Sequence, residues 1–451
     1  MTNQQTTNVG SIPSRSLKKR ALNGSLWTMG GYGLNQILRF GSNLILTRLL
    51  FPETFGLMTL VNVFMQGLQM FSDIGIIPSI IQNKRGNDSA FLNTAWTIQV
   101  GRGFLLWLLS CLLAFPAAEF YNEPMLRQLL PVVGINALIA GFNSTKLATS
   151  NRKLMLGRLT LIELSSYVLG VIVMILWALR SPSIWALAAG GLVSALAKMV
   201  CSHLFLVGPR NYFHWESEAF RALQSFGQWI FVSTALTFFA GQGDRLILGH
   251  FLGLRLLGVF GIAALLARFF SELLNRLGNR VLFPSYAELF REQPEKLYLS
   301  LRKGRILMII ASWAVSLCLI FLGKQLIDLL YDDRYTEAGW ILQTIALAML
   351  VNVLHLTYNG VFEATGKTSF NAIVLVFQVT IKIAMMFLGF LWWDEEGVIF
   401  AVAFSGWISF PARAFFLQRL SLWQWEIDLP VIVLAFIVAA IYYLSPIWGL
   451  S

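Results

Sequence analysis

The chain has 451 residues, of which 56% are hydrophobic and only 13% charged, and its formal net charge is +11. A soluble domain carries about 25% charged residues. A water-facing surface is therefore excluded, and so is intrinsic disorder, which needs low hydrophobicity. With a mean hydropathy of +0.65, the composition fits an all-α polytopic membrane protein.

A transmembrane helix needs about 20 mostly apolar residues. In chain order, such windows fall at 22–46, 52–81, 93–117, 126–148, 157–179, 183–207, 224–251, 256–284, 303–325, 338–362, 369–393, 396–419 and 429–448. Residues 1–21 precede them as a polar tail ending in Lys18-Lys19-Arg20. The apolar segment behind the tail is too long for a signal-peptide core and lacks a small-residue cleavage site, so a retained cytoplasmic tail is expected. The longest polar stretches, 208–223 and 285–305, leave no room for a soluble catalytic domain. The last window is flanked by Pro430 and Pro446 and is barely long enough to span. Thirteen spans are counted and twelve to fourteen stay open, and with them the side of the C-terminus.

Of the 34 Lys and Arg, twenty, Arg302, Lys303 and Arg305 among them, fall in loops or span ends on the side of the N-terminus, six on the other side and eight within spans. Short loops rich in Lys and Arg stay cytoplasmic, which puts the N-terminus inside. The outer loops carry Asp332-Asp333 and Asp394-Glu395-Glu396.

Shifting the chain by 202 residues aligns Trp27 with Trp229, Ile45-Leu46 with Ile247-Leu248, Leu50 with Leu252 and Gly56 with Gly258. The first two spans therefore echo the seventh and eighth. Six spans separate the copies, an even number, so both halves run the same way about an axis along the membrane normal.

The block Thr47-Arg48-Leu49-Leu50-Phe51-Pro52-Glu53-Thr54-Phe55-Gly56-Leu57, with Ser72-Asp73-Ile74-Gly75 and Ile80-Ile81-Gln82, resembles the start of polysaccharide and O-antigen flippases. A second block, Gly243-Asp244-Arg245-Leu246-Ile247-Leu248-Gly249, Phe251-Leu252-Gly253 and Leu257-Gly258-Val259-Phe260-Gly261-Ile262-Ala263, resembles the seventh and eighth helices of the same family. This family is the polysaccharide branch of the multidrug/oligosaccharidyl-lipid/polysaccharide exporter superfamily. The resemblance implies two six-helix bundles in a pseudo-two-fold arrangement around a central cleft, and a lipid-diphosphate-linked sugar as cargo. The bundles would be 22–207 and 224–420, joined by a cytoplasmic linker 208–223 and followed by an extra helix at 429–448. Family members carry twelve or fourteen helices, so a count of thirteen departs from the pattern at the C-terminal end.

A charged side chain at mid-bilayer costs at least about 2.5–3.5 kcal/mol, so it generally faces a wet cavity or a partner. The embedded acids are Asp73, Glu163, Asp244 and Glu272; the embedded bases are Arg39, Arg102, Lys198, Arg245, Arg268, Arg276, Arg280 and Lys382. Arg268, Glu272, Arg276 and Arg280 recur every four residues and share one helix face. Arg suits a diphosphate because its planar fork is permanently charged and donates bidentately to phosphate oxygens. The competing reading makes these charges interhelical salt bridges, with Arg280 and Arg276 reaching back to the headgroups.

Arg39 and Lys198 are the next candidates for binding the anion. The family's cationic cleft in the first bundle favours Arg39, whereas Lys198 can equally snorkel inward near His203. Asp244-Arg245 reads as a structural or gating pair. Gly75 and Pro78 mark a broken helix beside Asp73. Ion coupling through Asp73, Glu163 or Asp244 is weighed against structural pairing. Lys382 and Arg102 are further lining candidates.

Gly366-Lys367-Thr368 resembles the end of a phosphate-binding loop, but Val361 stands where that loop needs a glycine, and no ATP chemistry follows. The histidines His203, His214, His250 and His355 show no metal spacing. Cys111, Cys201 and Cys318 lie singly in apolar runs as small hydrophobes. No cofactor and no metal is expected. The basic residues lie in loops and spans, which argues against a nucleic-acid partner.

The leading functional reading is a flippase for an undecaprenyl-diphosphate-linked oligosaccharide in the bacterial inner membrane, working beside polymerase machinery. One rival is a cation-coupled drug antiporter of the same superfamily, which wants an acidic lumen. The other is a membrane glycan polymerase or ligase, which needs a large outer loop.

Overall fold

A computed structural model describes residues 14–73, 75–277, 288, 292 and 294–444. Among them no strand occurs. The helices are α1 Ser14–Leu49, α2 Pro52–Phe71, α3 Ile76–Gln82, α4 Ser89–Phe120, α5 Leu126–Gly141, α6 Lys146–Arg152, α7 Leu156–Arg180 and α8 Ile184–Leu204. They continue with α9 Ser217–Phe251, α10 Gly253–Leu277, α11 Pro294–Leu330, α12 Ala338–Ala364, α13 Thr368–Arg419 and α14 Trp425–Leu444, with a 3-10 turn at Asp333–Tyr335.

Every expected span lies on a helix or helix pair wherever its residues are described. Among the described residues, eight helices are long and apolar enough to cross a membrane, or ten when the bent pairs α2/α3 (44°) and α5/α6 (59°) each count as one span. The difference from thirteen lies in α1 and α9, whose apolar stretches are interrupted by Asn, Gln and charged residues, and in α13. That last element is one continuous helix by hydrogen bonding but turns sharply at Trp393 and Asp394, where the backbone leaves the helical region. A Cβ on Gly397 would come within 2.0 Å of the Gly389 carbonyl oxygen, so only glycine lets the two arms approach this closely.

The α2/α3 break is chemically specified. Gly75 takes a left-handed φ of 65°. Asp73 Oδ1 accepts the Gly75 N–H at 2.9 Å. Arg102, from α4, donates to the Gln69 carbonyl at 2.7 Å, one of those the helix end leaves open, and to the Ser72 hydroxyl at 3.0 Å.

The chain forms two compact units, one of residues 1–49 and 64–235, the other of residues 50–63 and 236–451. In the first, α1 packs on α7, α7 on α8, α8 on α5 and α5 on α4. An apolar cluster of Ile76, Ile80, Phe91, Leu92, Ala148 and Leu223 packs within this unit.

The segment before α9 is stitched to the first unit rather than hanging free. Thr97 and His214 exchange hydrogen bonds at 3.0 Å, Asn93 accepts the Tyr212 N–H, and Asn211 bonds Ser144 and Thr145. Arg85 grips Glu216 through two bonds of 2.8 Å while also pairing with Asp88. The Arg85 guanidinium holds both carboxyls below their ordinary range and is itself raised by them.

In the second unit α12 is the hub, touching α10, α11, α13 and α14. Ile341, Leu342, Ala346, Leu347, Leu350 and Leu354 on it are completely enclosed, as expected of a helix apolar all round. Lipid is as apolar as leucine, so packing and interhelical hydrogen bonds hold such helices together. Gln343 provides one such bond, donating to the Ile320 carbonyl at 2.8 Å and accepting from Tyr442 at 2.9 Å.

The 202-residue repeat also appears in the packing of this unit. A Cβ on Gly56 would lie 1.9 Å from the Leu254 oxygen, and one on Gly258 would lie 2.0 Å from the Pro52 oxygen. Shifting Pro52 and Gly56 by the repeat length gives Leu254 and Gly258. Each helix start thus presents the equivalent glycine to the equivalent carbonyl of the other, as two-fold related surfaces do.

Candidate functional site

In the second unit, charged side chains from three helices converge. Asp244 and Arg245 lie on α9, Arg268 and Glu272 on α10, and Lys382 on the first arm of α13. Lys382 Nζ stands 3.3 Å from Asp244 Oδ2, with side chains 26% and 19% exposed. The other carboxylate oxygen of Asp244 accepts the Arg245 backbone N–H at 2.9 Å. The Arg245 guanidinium does not turn to Asp244; it donates to Gln242 Oε1 at 2.8 Å. Arg268 is exposed, makes no salt bridge among the described residues, and is close enough to Arg245 for their like charges to repel. Glu272 is half-buried and not free. The backbone of Arg276 continues the same face of α10; its side chain and the whole of Arg280 lie outside the described residues.

Asp244 is thus paired with Lys382, while Arg245 beside it and Arg268 near Arg245 make no salt bridge among the described residues, and a second carboxylate, Glu272, lies one turn beyond Arg268 on α10. In a low-dielectric setting such a surplus calls for an anion, because an unbalanced embedded charge is costly.

The candidates in the first unit are dispersed. Arg39 is exposed on α1 and makes no ion pair among the described residues. Lys198 of α8 pairs with Glu163 of α7 at 3.2 Å. Asp73 serves the α2/α3 break, and Arg102 is committed to the same break.

One constellation escaped the sequence. Arg305 was expected at a cytoplasmic span end but is completely enclosed in the second unit. It is bonded to Asp428, to Tyr358 Oη at 2.6 Å, and to Gln424 and Thr357 at 3.1 Å each. Its guanidinium also stacks 3.7 Å from the Tyr358 ring centroid, and Asp428 additionally accepts from Tyr358 and Trp423 at 3.0 Å each. Every polar group has a protein partner here, and the cluster staples α11, α12 and α14 together. A second group is the half-buried His355, whose Nδ1 accepts from Gln378 at 2.7 Å. The proton must then sit on Nε2, which donates to the Gly406 carbonyl at 2.8 Å, while Arg413 donates to the His355 carbonyl at 2.7 Å. The sequence signal for both clusters was a charge inside an apolar window with an aromatic or amide one helix away, which is too common to single out.

An all-helical multi-pass protein with embedded cations and no metal-binding cluster among its described residues has the make-up of a membrane transporter. The model of the polysaccharide biosynthesis protein family matches residues 45–340, and the chain belongs to that family. It is similar to the lipopolysaccharide biosynthesis protein WzxC of Escherichia coli strain K12, 22% identical over 383 residues, covering 83% of this chain and 76% of that protein. Its fold is that of an inward-facing multidrug resistance MATE family transporter of the MOP superfamily, with a TM-score of 0.66, 14% identity and coverage of 86% of this chain and 94% of that one. It is likewise that of the lipid II flippase MurJ, with a TM-score of 0.64, 12% identity and coverage of 94% and 100%.

Proposed function

We propose that the protein moves a lipid-diphosphate-linked oligosaccharide across the bacterial inner membrane for polysaccharide synthesis. The observation that carries this reading is the cation surplus of Arg245, Arg268 and Lys382 over Asp244, in a chain of a polysaccharide biosynthesis family. Permanently charged guanidiniums and an ammonium match a diphosphate in sign and in hydrogen-bonding capacity. A cationic drug would meet repulsion at the same place.

In this reading Arg268 and Arg276, with Arg39 and Lys198 from the first half of the chain, draw in the headgroup. Glu272, Asp73, Glu163, Asp244 and Arg245 hold or gate those cations. The glycan stays in the hydrated interior, the polyprenyl tail stays in lipid, and alternating access of the bundles 22–207 and 224–420 exchanges the sides. The N-terminus lies in the cytoplasm and the product passes to polymerase machinery outside. No covalent step is assigned. The driving force is an ion gradient or the membrane potential, worth about 2.3 kcal/mol per charge per 100 mV.

The test is deletion of the gene in its host, followed by chemical analysis of lipid-linked repeat units on each leaflet. Accumulation on the inner leaflet supports the reading; repeat units still reaching the outside, with no paralogue present, refute it.

A further inference from the structure

The second unit contains two ion pairs of opposite character. Arg305–Asp428 is fully enclosed, and both partners are saturated by protein donors and acceptors. Asp244–Lys382 is about a fifth to a quarter exposed, and its ammonium makes no other hydrogen bond among the described residues. At 3.3 Å it is also longer than a good charge-assisted bond, which runs about 2.7–2.9 Å. The first pair is built to stay closed; the second can be opened by a competing anion.

We infer that Asp244 is an internal counter-ion which the substrate's diphosphate displaces from Lys382, making Lys382 a headgroup-binding residue and Asp244 the group that sets release. This rests on the flippase reading above for the identity of the anion. Lys382 has three donors and spends one on Asp244. Arg245 is held by the neutral amide of Gln242, so its charge is uncompensated by that bond. Arg268, repelled by Arg245, lacks a carboxylate partner among the described residues. A diphosphate entering this group meets attraction from three cations and repulsion from one carboxylate at the same ammonium. Among the described residues, Asp244 then keeps its bond to the Arg245 N–H alone. When the headgroup leaves, the carboxylate re-pairs with Lys382, so the emptied site does not hold its product. The carboxylate thus lowers affinity, which a transporter needs at the release step.

The test uses the full-length protein in nanodiscs, with inorganic pyrophosphate and a short-chain prenyl diphosphate as probes in a binding titration. Asp244→Asn is expected to tighten pyrophosphate binding about tenfold and Lys382→Gln to weaken it about tenfold, in line with couplings of close charge pairs. On the Lys382→Gln background, Asp244→Asn is expected to change binding little, since the competition has lost its object. Translocation of the lipid-linked sugar falls in both single variants, in Asp244→Asn through slow release.

The exchanged pair Asp244→Lys/Lys382→Asp separates this from a structural role. An interhelical staple is restored by the exchange, so recovery of both thermal stability and transport overturns the proposal. Recovery of stability without transport supports it. Unchanged or weaker pyrophosphate binding in a folded Asp244→Asn protein also overturns it. If the binding pattern holds while the deletion strain exports its repeat units normally, the anion site stands and the flippase reading fails. Inner-leaflet accumulation with no effect of Asp244→Asn on binding gives the converse.

Discussion

Replacing Gly258 with alanine adds one carbon in the middle of a helix, where the change ordinarily stabilises by about 0.5–1 kcal/mol because glycine loses more backbone entropy. The reciprocal contact of α2 and α10 reverses that sign. The new Cβ would lie 2.0 Å from the Pro52 carbonyl oxygen, a distance real Cβ atoms essentially never show below 3.0 Å. The obstacle is backbone, so no rotamer relieves it, and the two helix starts must part by about 1 Å, at an overpacking cost of about 1–3 kcal/mol. Subtracting the helix gain from the middle of that range leaves a net loss of about 1.3 kcal/mol, roughly tenfold in the folded ratio. Gly56→Ala, with its Cβ 1.9 Å from the Leu254 oxygen, is expected to cost the same by pseudo-symmetry. The double variant is expected to cost less than the sum, because helices parted by one methyl already accommodate the second. Gly41→Ala on α1 is the control, since nothing lies within 4 Å of its Cβ. Equilibrium unfolding in mixed detergent, titrated with a denaturing detergent, measures all four. Neutral or stabilised Gly56→Ala and Gly258→Ala proteins, behaving like Gly41→Ala, would refute the close approach.

Removing one member of the enclosed pair, by Arg305→Leu or Asp428→Leu, is expected to destabilise the second unit by about 3–5 kcal/mol. The double apolar replacement is expected to recover a large part of that loss, read in the same unfolding assay. Arg268→Ala is expected to reduce translocation about tenfold or more in protein that still inserts and sediments normally; unchanged transport would remove α10 from the binding site. The Arg85 clasp on Glu216 gives a pH dependence. Glu216 and Asp88 are held below their ordinary 4.5 and 3.8 in the folded protein, so their contribution is complete above those values and is lost as pH falls through the depressed ones. Cleavage by an acid-active protease within 208–216 is therefore expected to rise sharply only below the ordinary carboxylate range. In Arg85→Ala the same segment is expected to be cut already at neutral pH by a protease active there.

The solvent, the fold class and most helix positions were legible in the sequence, because they follow from local quantities. Twenty apolar residues in a row declare a span wherever they occur, and glycine and proline mark breaks such as the one at Gly75. The repeat was legible too, as a few aligned residues, but its meaning as a reciprocal glycine–carbonyl contact needed two segments 202 residues apart to be brought together. Charge position was the poorest guide. Arg305 sits next to a basic stretch and was expected at the membrane surface, yet it is enclosed because Tyr358, Gln424 and Asp428, all far along the chain, close over it. Asp244 and Arg245 are adjacent in sequence, but successive residues on a helix do not face each other. The carboxylate therefore finds Lys382 on another helix, and the guanidinium finds Gln242 one turn back. Composition and hydropathy decided which few charges of this chain would fall inside spans. Which of them are saturated, as Arg305 is, and which keep a single, partly exposed partner among the described residues, as Lys382 does, was decided by helix packing.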